Sequence, residues 1–344
     1  MRCEAIVLHK ERNVTLTAYI QEVGGEFRYV AARPAIVVIP GGGYQFCSDR
    51  EADPVAMHYL GAGYDVFILR YSVEKDAVWP TPLNDYDDAV EYILSRADEW
   101  HILKDKIAVI GFSAGGHLAA AAATMAEHRP AAAILGYPVI REDTTHECEV
   151  TAPGIPDAVD ERTCPCFLFA TRTDSVVPIQ NTLDMLCALN RYNISFESHI
   201  YAYGPHGYST NDSSVQPAST VIPARAGDWV RDSIAWLRDV MGEFGPDGLA
   251  KPVCRGKVSD DANQWLSVDC TIGRIYGNPK ALEAAEELWK EMEEKIEPFA
   301  PELTFKDMMQ ILSKTTLRDL LMERGIWTDR LEELNGVLGK IPNI

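Results

Sequence analysis

The feature that most constrains this chain is a regular alternation of short apolar runs and helical stretches before residue 245. Apolar runs of this length are typical of strands buried on both faces of a parallel sheet, with helices as the crossovers between them. Strands are predicted over 35–39, 64–69, 106–110, 131–135, 166–170 and 196–203, and helices over 84–96, 114–127, 179–191 and 224–240. The pattern predicts an α/β fold with a mostly parallel, doubly wound sheet, and the first thirty residues, with VTLTAYI at 14–20, are expected to supply antiparallel edge strands.

The pattern changes at residues 243–252 (EFGPDGLAKP), a segment rich in turn formers that predicts a linker. Beyond it the apolar residues recur at helical spacing over 281–297, 306–313, 317–324 and 329–338. We expect three parts, an α/β domain over 1–245, a linker over 246–280 and a small helical domain over 281–344. The expected role of these C-terminal helices is to stabilise the fold or to form a homo-oligomer.

Charge and apolar content exclude several classes of protein. The chain has 32 Lys and Arg against 51 Asp and Glu, a net charge of −19, so it repels the phosphate backbone of nucleic acids. No apolar run approaches the roughly 20 residues that span a bilayer, and the start, MRCEAIVLHKERN, lacks the apolar region of a secretory signal. Eight cysteines are too few for a disulfide scaffold and lack the spacing of a zinc site. We expect a cytoplasmic protein with no metal and no nucleic-acid or membrane partner.

The sequence Gly111-Phe112-Ser113-Ala114-Gly115 carries the strongest chemical signal. It follows a predicted strand and opens an Ala-rich helix, which is the context of a nucleophile elbow, where a sharp turn exposes a serine. The turn needs small neighbours, and the helix N-terminus favours negative charge that develops beside the serine. Ser113 is therefore the predicted nucleophile.

A serine hydroxyl needs a base and a group that orients the base, and on this architecture the chain order is Ser, then Asp or Glu, then His. Asp174 follows the predicted strand 166–170, at the sheet edge where open α/β folds carry function. His206 lies between glycines in a loop after the last predicted strand, a poor setting for a packed core residue. These positions predict Asp174 as the acid and His206 as the base.

Donors for a tetrahedral oxyanion are predicted in two places. One is the backbone N–H of Ala114, directly after the nucleophile. The other is the loop PGGGY at 40–44, where glycines let the backbone approach a substrate. Gly42 and Gly43 are the candidate donors there, without a choice between them. The loop lacks the GK[ST] ending of a phosphate-binding P-loop.

Three aromatic side chains lie beside these motifs and are candidate substrate contacts, namely Tyr44, Trp79 and Tyr208. Each is equally suited to packing in the core, so the sequence leaves both roles open. Acyl transfer through a serine, a histidine and a carboxylate needs no metal and no organic cofactor, and none is expected.

The motifs PGGGY, GFSAGGHLA, RTDSVVP and GPHGYS, in this order and spacing, resemble the α/β-hydrolase superfamily, and within it the bacterial acetyl-esterase group with acetylxylan-esterase-like enzymes. The resemblance covers about residues 30–240 and includes WPTPLND before the nucleophile strand. Pro40 stands where the hormone-sensitive-lipase branch has a histidine, which argues against that branch. The C-terminal TIGRI and LEELNGVLGKIP are similar to helical segments appended to some bacterial glycosidases.

The resemblance implies an α/β-hydrolase fold and a serine esterase that removes small acyl groups, acetyl in particular, from carbohydrate such as acetylated xylan oligosaccharides. A peptidase or amide hydrolase on the same scaffold is the first alternative. A non-catalytic binding module, or an adaptor that acts through its C-terminal helices, belongs to a different class of function. The complete set of nucleophile, acid, base and oxyanion loop favours the enzyme, because a binding module does not need all of them.

Overall fold

Buried strands dominate the first part of the chain in the computed structural model, which describes residues 1–148, 150–217, 219–245, 248–297 and 300–343. The chain divides into two units, Met1–Gly256 and Lys257–Ile344. The first unit contains one large sheet, whose strands are β1 (Arg2–His9), β2 (Val14–Ile20), β3 (Arg33–Ile39), β4 (Asp65–Arg70), β5 (Ile102–Phe112), β6 (Ala133–Gly136), β7 (Cys166–Thr171) and β8 (Phe196–Tyr201).

The sheet has the strand order β1-β2-β4-β3-β5-β6-β7-β8. Pairing is parallel from β4 to β8, and β2 pairs antiparallel with both β1 and β4. All residues of β3 are buried, whereas burial alternates along β2, as expected for a strand with one less covered face. The predicted mostly parallel, doubly wound sheet is confirmed, and β1 and β2 are the antiparallel strands at its edge that the first thirty residues were expected to supply.

Helices cover both faces of this sheet. Alternate β3 side chains enter the two cores, Ala35 and Val37 on one face and Ile36 and Val38 on the other. The helices are α1 (Asp53–Gly61), α2 (Thr81–Trp100), α3 (Ser113–Met125), α4 (Glu142–Glu147), α5 (Gln180–Arg191) and α6 (Trp229–Met241). A 3₁₀ turn over 224–228 replaces the start of the helix predicted at 224–240. No helix within the described ranges is long and apolar enough to cross a membrane, and the cytoplasmic location stays a prediction.

The carboxyl ends of β3, β5, β6, β7 and β8 lie at one edge of the sheet, because these strands run parallel. The loops that leave them carry the sequence motifs. The glycine loop follows β3, Ser113 follows β5, Asp174 comes three residues after β7, and His206 follows β8. Residues far apart in the sequence are thereby expected to meet at this edge.

The second unit is a small helical domain with its own core. Its helices are α7 (Ile272–Tyr276), α8 (Pro279–Ala284), α9 (Glu286–Lys295), α10 (Phe305–Ile311), α11 (Leu317–Arg324) and α12 (Leu331–Leu338). Leu288, Met292 and Leu320 are among its buried residues. The single helix predicted over 281–297 is two helices, because Ala285 leaves the helical region with φ −118° and ψ 30°. Residues 298 and 299 lie outside the described ranges.

The second unit begins earlier in the sequence than the predicted helical domain. The division falls between Gly256 and Lys257, whereas the sequence suggested a domain end at 245 and a linker over 246–280. Residues 257–280 of that expected linker belong to the second unit, because Leu266, Val268 and Ile272 are buried in its core.

Asp65 has a buried carboxyl group in the first unit. It starts β4, and its Oδ1 accepts the Gln21 backbone N–H at 2.8 Å, while its Oδ2 has no hydrogen-bond partner among the described residues. Burial raises the pKa of Asp65 to about 7, against the opposing effects of the Gln21 hydrogen bond and the charge of Arg33. A group whose pKa is higher in the folded than in the unfolded state binds more protons when folded, so its contribution to stability falls as the pH rises.

We therefore predict that the Asp65 contribution to the free energy of unfolding falls between about pH 4 and pH 7, and that Asp65→Asn removes this part of the pH dependence. The Asp65 contribution should be about 2 to 4 kcal/mol across that window. Urea unfolding at several pH values measures it, with the exposed Asp105→Asn as the matched control. Parallel pH profiles for wild type and Asp65→Asn would contradict the prediction.

Candidate active site

Ser113 lies at a tight junction between strand and helix. It follows Phe112, the last residue of β5, opens α3 and has a φ of 54°. A Cβ at Gly111 would lie 2.1 Å from the Gly115 carbonyl oxygen, and one at Gly115 would lie 2.3 Å from the Ile39 carbonyl oxygen. Both glycines of the motif are needed, because any larger residue would push these backbone segments apart. The positive φ of Ser113 is the strained geometry expected of a nucleophile elbow.

His206 connects the serine to the acid. Its Nε2 lies 2.8 Å from Ser113 Oγ, and its Nδ1 lies 2.7 Å from Asp174 Oδ2. A carboxylate only accepts hydrogen bonds, so Nδ1–H donates to Asp174 and the unprotonated Nε2 accepts the serine O–H. The other Asp174 oxygen accepts the backbone N–H groups of Val176 and Val177, both at 2.9 Å. The carboxylate is therefore fixed in place, with its side chain 2% exposed.

The glycine loop after β3 lies beside this group. Gly42 and Gly43 have φ values of 133° and 62°, and both line the same cavity as Ser113. The Gly42 carbonyl accepts the Phe46 N–H at 3.3 Å, which closes the loop, while neither the Gly42 nor the Gly43 N–H donates to another described residue. Ala114 is in the first turn of α3, where N–H groups have no acceptor within the helix. The predicted donors therefore lie around Ser113 with N–H groups available.

The cavity around Ser113 and His206 has a volume of about 460 Å³. Side chains from several loops form its walls, among them Phe46, Arg50, Val139, Thr144, Glu147 and Val177. Phe46, Arg50 and Glu147 are exposed, whereas Val139, Thr144 and Val177 are buried. The cavity thus combines a partly apolar interior with charged groups on its walls.

The three aromatic residues predicted to contact substrate do not line this cavity. Tyr44 is fully buried, and its hydroxyl lies 2.8 Å from His117 Nδ1. Trp79 packs edge-on against the same histidine, with ring centroids 5.4 Å apart. Tyr208 is fully buried next to Tyr137, at a centroid distance of 5.1 Å. All three residues therefore have the packing role that the sequence left open, because their rings pack in the core beneath the loops.

Sequence reasoning missed the cavity walls and one buried acid. The Glu51 carboxylate accepts the Gly41 N–H at 2.8 Å and the Tyr137 hydroxyl at 2.6 Å, and the residue is 3% exposed. In the sequence, Glu51 follows Asp49 and Arg50 and resembles an ordinary solvated charge cluster. Neither Glu51 nor Tyr137 belongs to a motif with its own chemical signature, so only the fold reveals their proximity to the site.

One cluster of side chains brings several metal-ligand atoms close together. Among the described residues, His9, Asp85 and Asp88 have such atoms within 4.8 Å of one another. Asp85 already accepts the Arg12 guanidinium at 2.9 Å and the Ser72 backbone N–H at 2.8 Å. The arginine neutralises the one buried carboxylate of the cluster, which makes it a poor cation site.

Comparison with known proteins adds an independent line of evidence. The BD-FAE family matches residues 28–152. The solved structure of MGS-M1, an alpha/beta hydrolase enzyme from a Medee basin deep-sea metagenome library, is 42% identical, has a TM-score of 0.66 and covers 70% of this chain and 98% of its own. Two curated proteins are also similar, endo-1,4-beta-xylanase B of Butyrivibrio fibrisolvens, 31% identical over 205 residues, and an acetylxylan esterase of Xylanibacter ruminicola, 29% identical over 196 residues.

The two curated relatives are longer proteins than this chain. Each match covers 51% of this chain, but 32% of the xylanase and 41% of the acetylxylan esterase. The chain therefore spans less than half the length of the curated relatives it matches.

The glycine loop generates a prediction about stability. Gly42→Ala should be costly, about 3 kcal/mol or more, because φ is 133° and the added Cβ would lie 2.0 Å from the Phe46 carbonyl oxygen. Gly43→Ala should cost about 1 kcal/mol, because φ is 62° but the Cβ would enter open space. Urea unfolding of both variants measures the difference.

Gly61→Ala is the control for the glycine loop. Gly61 ends α1, has no positive φ and has nothing within 4 Å of an added Cβ, so the substitution should be neutral or slightly stabilising. Equal unfolding free energies for the Gly42 and Gly61 variants would disprove the close packing of the loop.

Proposed function

The chain belongs to the α/β-hydrolase superfamily, as its motifs predict, and we propose that it is a serine esterase that removes small acyl groups, acetyl in particular, from carbohydrate. The observation that carries the proposal is the hydrogen-bonded series Ser113 Oγ, His206 and Asp174, with contacts of 2.8 and 2.7 Å beside an open cavity. This arrangement activates a hydroxyl as a nucleophile.

In the first half of the proposed reaction, Ser113 Oγ attacks the ester carbonyl while His206 Nε2 takes the hydroxyl proton. Asp174 holds the imidazole in the required tautomer and stabilises the imidazolium. The N–H of Ala114, with that of Gly42 or Gly43, donates to the oxyanion, and each such donor contributes about 3 kcal/mol of transition-state stabilisation. The intermediate collapses when His206 returns the proton to the leaving alcohol, which leaves an acyl-serine.

In the second half, a water molecule replaces the alcohol. His206 takes a proton from this water as it attacks the acyl carbonyl, and the same N–H groups bind the new oxyanion. The proton then returns to Ser113 Oγ as the acid departs. Protein groups perform every step of this cycle, so the proposed mechanism uses no metal and no organic cofactor.

The cavity walls and the relatives support a polar alcohol as the leaving group. Val139 and Val177 offer apolar contacts to a short acyl chain, whereas the exposed Arg50 and Glu147 offer partners to hydroxyl groups. One curated relative is an acetylxylan esterase and the other is a xylanase. We therefore propose acetylated sugars, xylan oligosaccharides among them, as the substrate class.

Two alternatives remain, and each has its own test. An amide hydrolase on the same fold would use the same triad, so cleavage of aminoacyl-anilides distinguishes it from an esterase. A non-catalytic binding module would leave Ser113 unreactive, so covalent labelling by a fluorophosphonate probe distinguishes it from both enzymes.

The substrate proposal predicts release of acetate from acetylated xylan oligosaccharides and from p-nitrophenyl acetate, with no cleavage of aminoacyl-anilides. Ser113→Ala should lower both rates by about 10⁴-fold or more, because no other described side chain replaces the activated hydroxyl. Ser95→Ala, which removes an exposed hydroxyl on α2, is the matched control and should leave both rates unchanged.

The outcomes test the proposed substrate and the proposed reaction separately. Release from the small ester alone would retain the serine esterase and remove xylan from the proposal. Wild-type turnover by Ser113→Ala would remove Ser113 as the nucleophile. No release from either ester, with anilides cleaved, would replace the esterase with an amide hydrolase.

We propose, separately, that the second unit holds two or more copies of the chain together. A chain that ends at Gly256 should then retain turnover of p-nitrophenyl acetate and have a lower mass by light scattering than the full chain. An unchanged oligomeric state would contradict this role. Aggregation of the shortened chain, with loss of activity, would instead indicate that the helices stabilise the first unit.

A further inference from the structure

We propose that Glu51 is a positioning residue for the hydrolytic site, because its buried carboxylate holds the glycine loop after β3 and the loop that carries His206 in register. The inference rests on the proposed function and goes beyond the triad and the oxyanion donors. Glu51 lines the same cavity as Ser113, yet the residue is 3% exposed. Burying a carboxylate costs free energy because the group loses its hydration, and the hydrogen bonds of Glu51 offset this cost.

The first partner of Glu51 is the glycine loop after β3. Its Oε2 accepts the Gly41 N–H at 2.8 Å, and the Gly41 carbonyl accepts the Ser48 N–H at 2.9 Å. A Cβ at Gly41 would lie 2.9 Å from Ser113 Cβ, so this glycine packs directly against the proposed nucleophile. The hydrogen bond to Glu51 therefore fixes the start of the loop whose next two N–H groups are the proposed oxyanion donors.

The second partner of Glu51 is Tyr137, which connects it to the loop that carries His206. Glu51 Oε1 accepts the Tyr137 hydroxyl at 2.6 Å, and the oxygen of that hydroxyl accepts the Ser209 N–H at 3.1 Å. The Tyr137 ring lies edge-on to the His206 ring, with centroids 5.0 Å apart. Ser209 Oγ also donates to the Arg50 carbonyl at 2.5 Å. Residues 50 and 51 thus hold the loop that carries His206 through two hydrogen-bonded paths.

The two oxygens of Glu51 each accept one hydrogen bond, from Gly41 and from Tyr137. Burial raises the pKa of Glu51, while the hydrogen bonds from Tyr137 and Gly41 and the charge of His206 act in the opposite direction. The hydrogen bonds that position the two loops therefore also favour the carboxylate form, which accepts both of them.

The test uses the full chain with the variants Glu51→Gln and Glu51→Asp, and with Glu26→Gln as the matched control. Glutamine keeps the size of the side chain but has one acceptor oxygen for two donors and no charge. Aspartate keeps the charge with a shorter reach. Glu26 is an exposed glutamate outside the cavity, so its substitution changes the net charge alone. The concentration of active enzyme is measured in each case by fluorophosphonate titration.

We expect Glu51→Gln to lower kcat for p-nitrophenyl acetate by about tenfold or more while KM changes by less than about threefold, because the oxyanion donors act mainly in the transition state. Glu51→Asp, which keeps both acceptor oxygens at a shorter reach, should recover part of the lost kcat, and Glu26→Gln should match wild type.

Two results would overturn the proposal. One is a wild-type kcat per active site in Glu51→Gln. The other is a kcat for Glu51→Asp that is no higher than that of Glu51→Gln, since the second acceptor oxygen would then contribute nothing to the positioning. If Glu51→Gln does not fold, Tyr137→Phe replaces it, because this change removes one donor to Glu51 and the acceptor of Ser209. Tyr137→Phe should lower kcat about tenfold at unchanged KM, and a wild-type kcat for this variant would also overturn the proposal.

The proposed function fails in a different way from this inference. Absence of ester turnover and of fluorophosphonate labelling in the wild-type chain would remove the esterase itself. Ser113→Ala, run in parallel, should abolish labelling, whereas Glu51→Gln should still be labelled, at a lower rate.

Discussion

The close approach of backbone segments around Ser113 is the constraint on which the rest of the structure depends. An added Cβ would lie 2.1 Å from a neighbouring backbone oxygen at Gly111 and 2.3 Å at Gly115, and at Gly41 it would lie 2.6 Å from the Phe112 carbonyl oxygen. The ends of β3 and β5 and the start of α3 therefore meet with no side chains between them. This contact brings the N-terminus of α3 and the glycine loop to the same cavity. It also supports the positive φ of Ser113, a conformation that persists only where its surroundings enforce it.

Such a junction needs a rigid base, and the sheet provides it. Strands β3, β5, β7 and β8 run parallel, so each delivers the loop that follows it to the same edge. Ser113 and His206 are 93 residues apart in the sequence, yet their polar atoms are 2.8 Å apart. Apolar packing on both faces fixes the register of the strands, because a slip of one residue would exchange the side chains of the two cores. The precision of the polar contacts is thus a consequence of apolar burial elsewhere.

Sequence reasoning reached the architecture and selected Ser113, Asp174 and His206, which the structure brings together, because each depends on local or strongly patterned signals. Buried strands give continuous apolar runs, and the elbow, the acid and the base follow such runs in a fixed order. Finer features were less accessible. The helix predicted over 281–297 is interrupted at Ala285, and the second unit starts at Lys257 because Leu266 and Ile272 pack into its core. Tyr44, Trp79 and Tyr208 were candidates through their proximity to motifs in the sequence, but the direction of a side chain is decided by tertiary packing.

The role of Glu51 is one that only the fold reveals. The presence of a carboxylate at this position, rather than an apolar side chain, is itself informative. A buried carboxylate stabilises a protein less well than an apolar side chain of similar volume, because its desolvation offsets most of what its hydrogen bonds contribute. If the only requirement at this position were to fill space beneath the glycine loop, leucine or methionine would satisfy it. The carboxylate instead accepts one hydrogen bond from each of two segments, the Gly41 N–H and the Tyr137 hydroxyl. A carboxylate held in this way sets the geometry of both loops at once, which an apolar side chain cannot do.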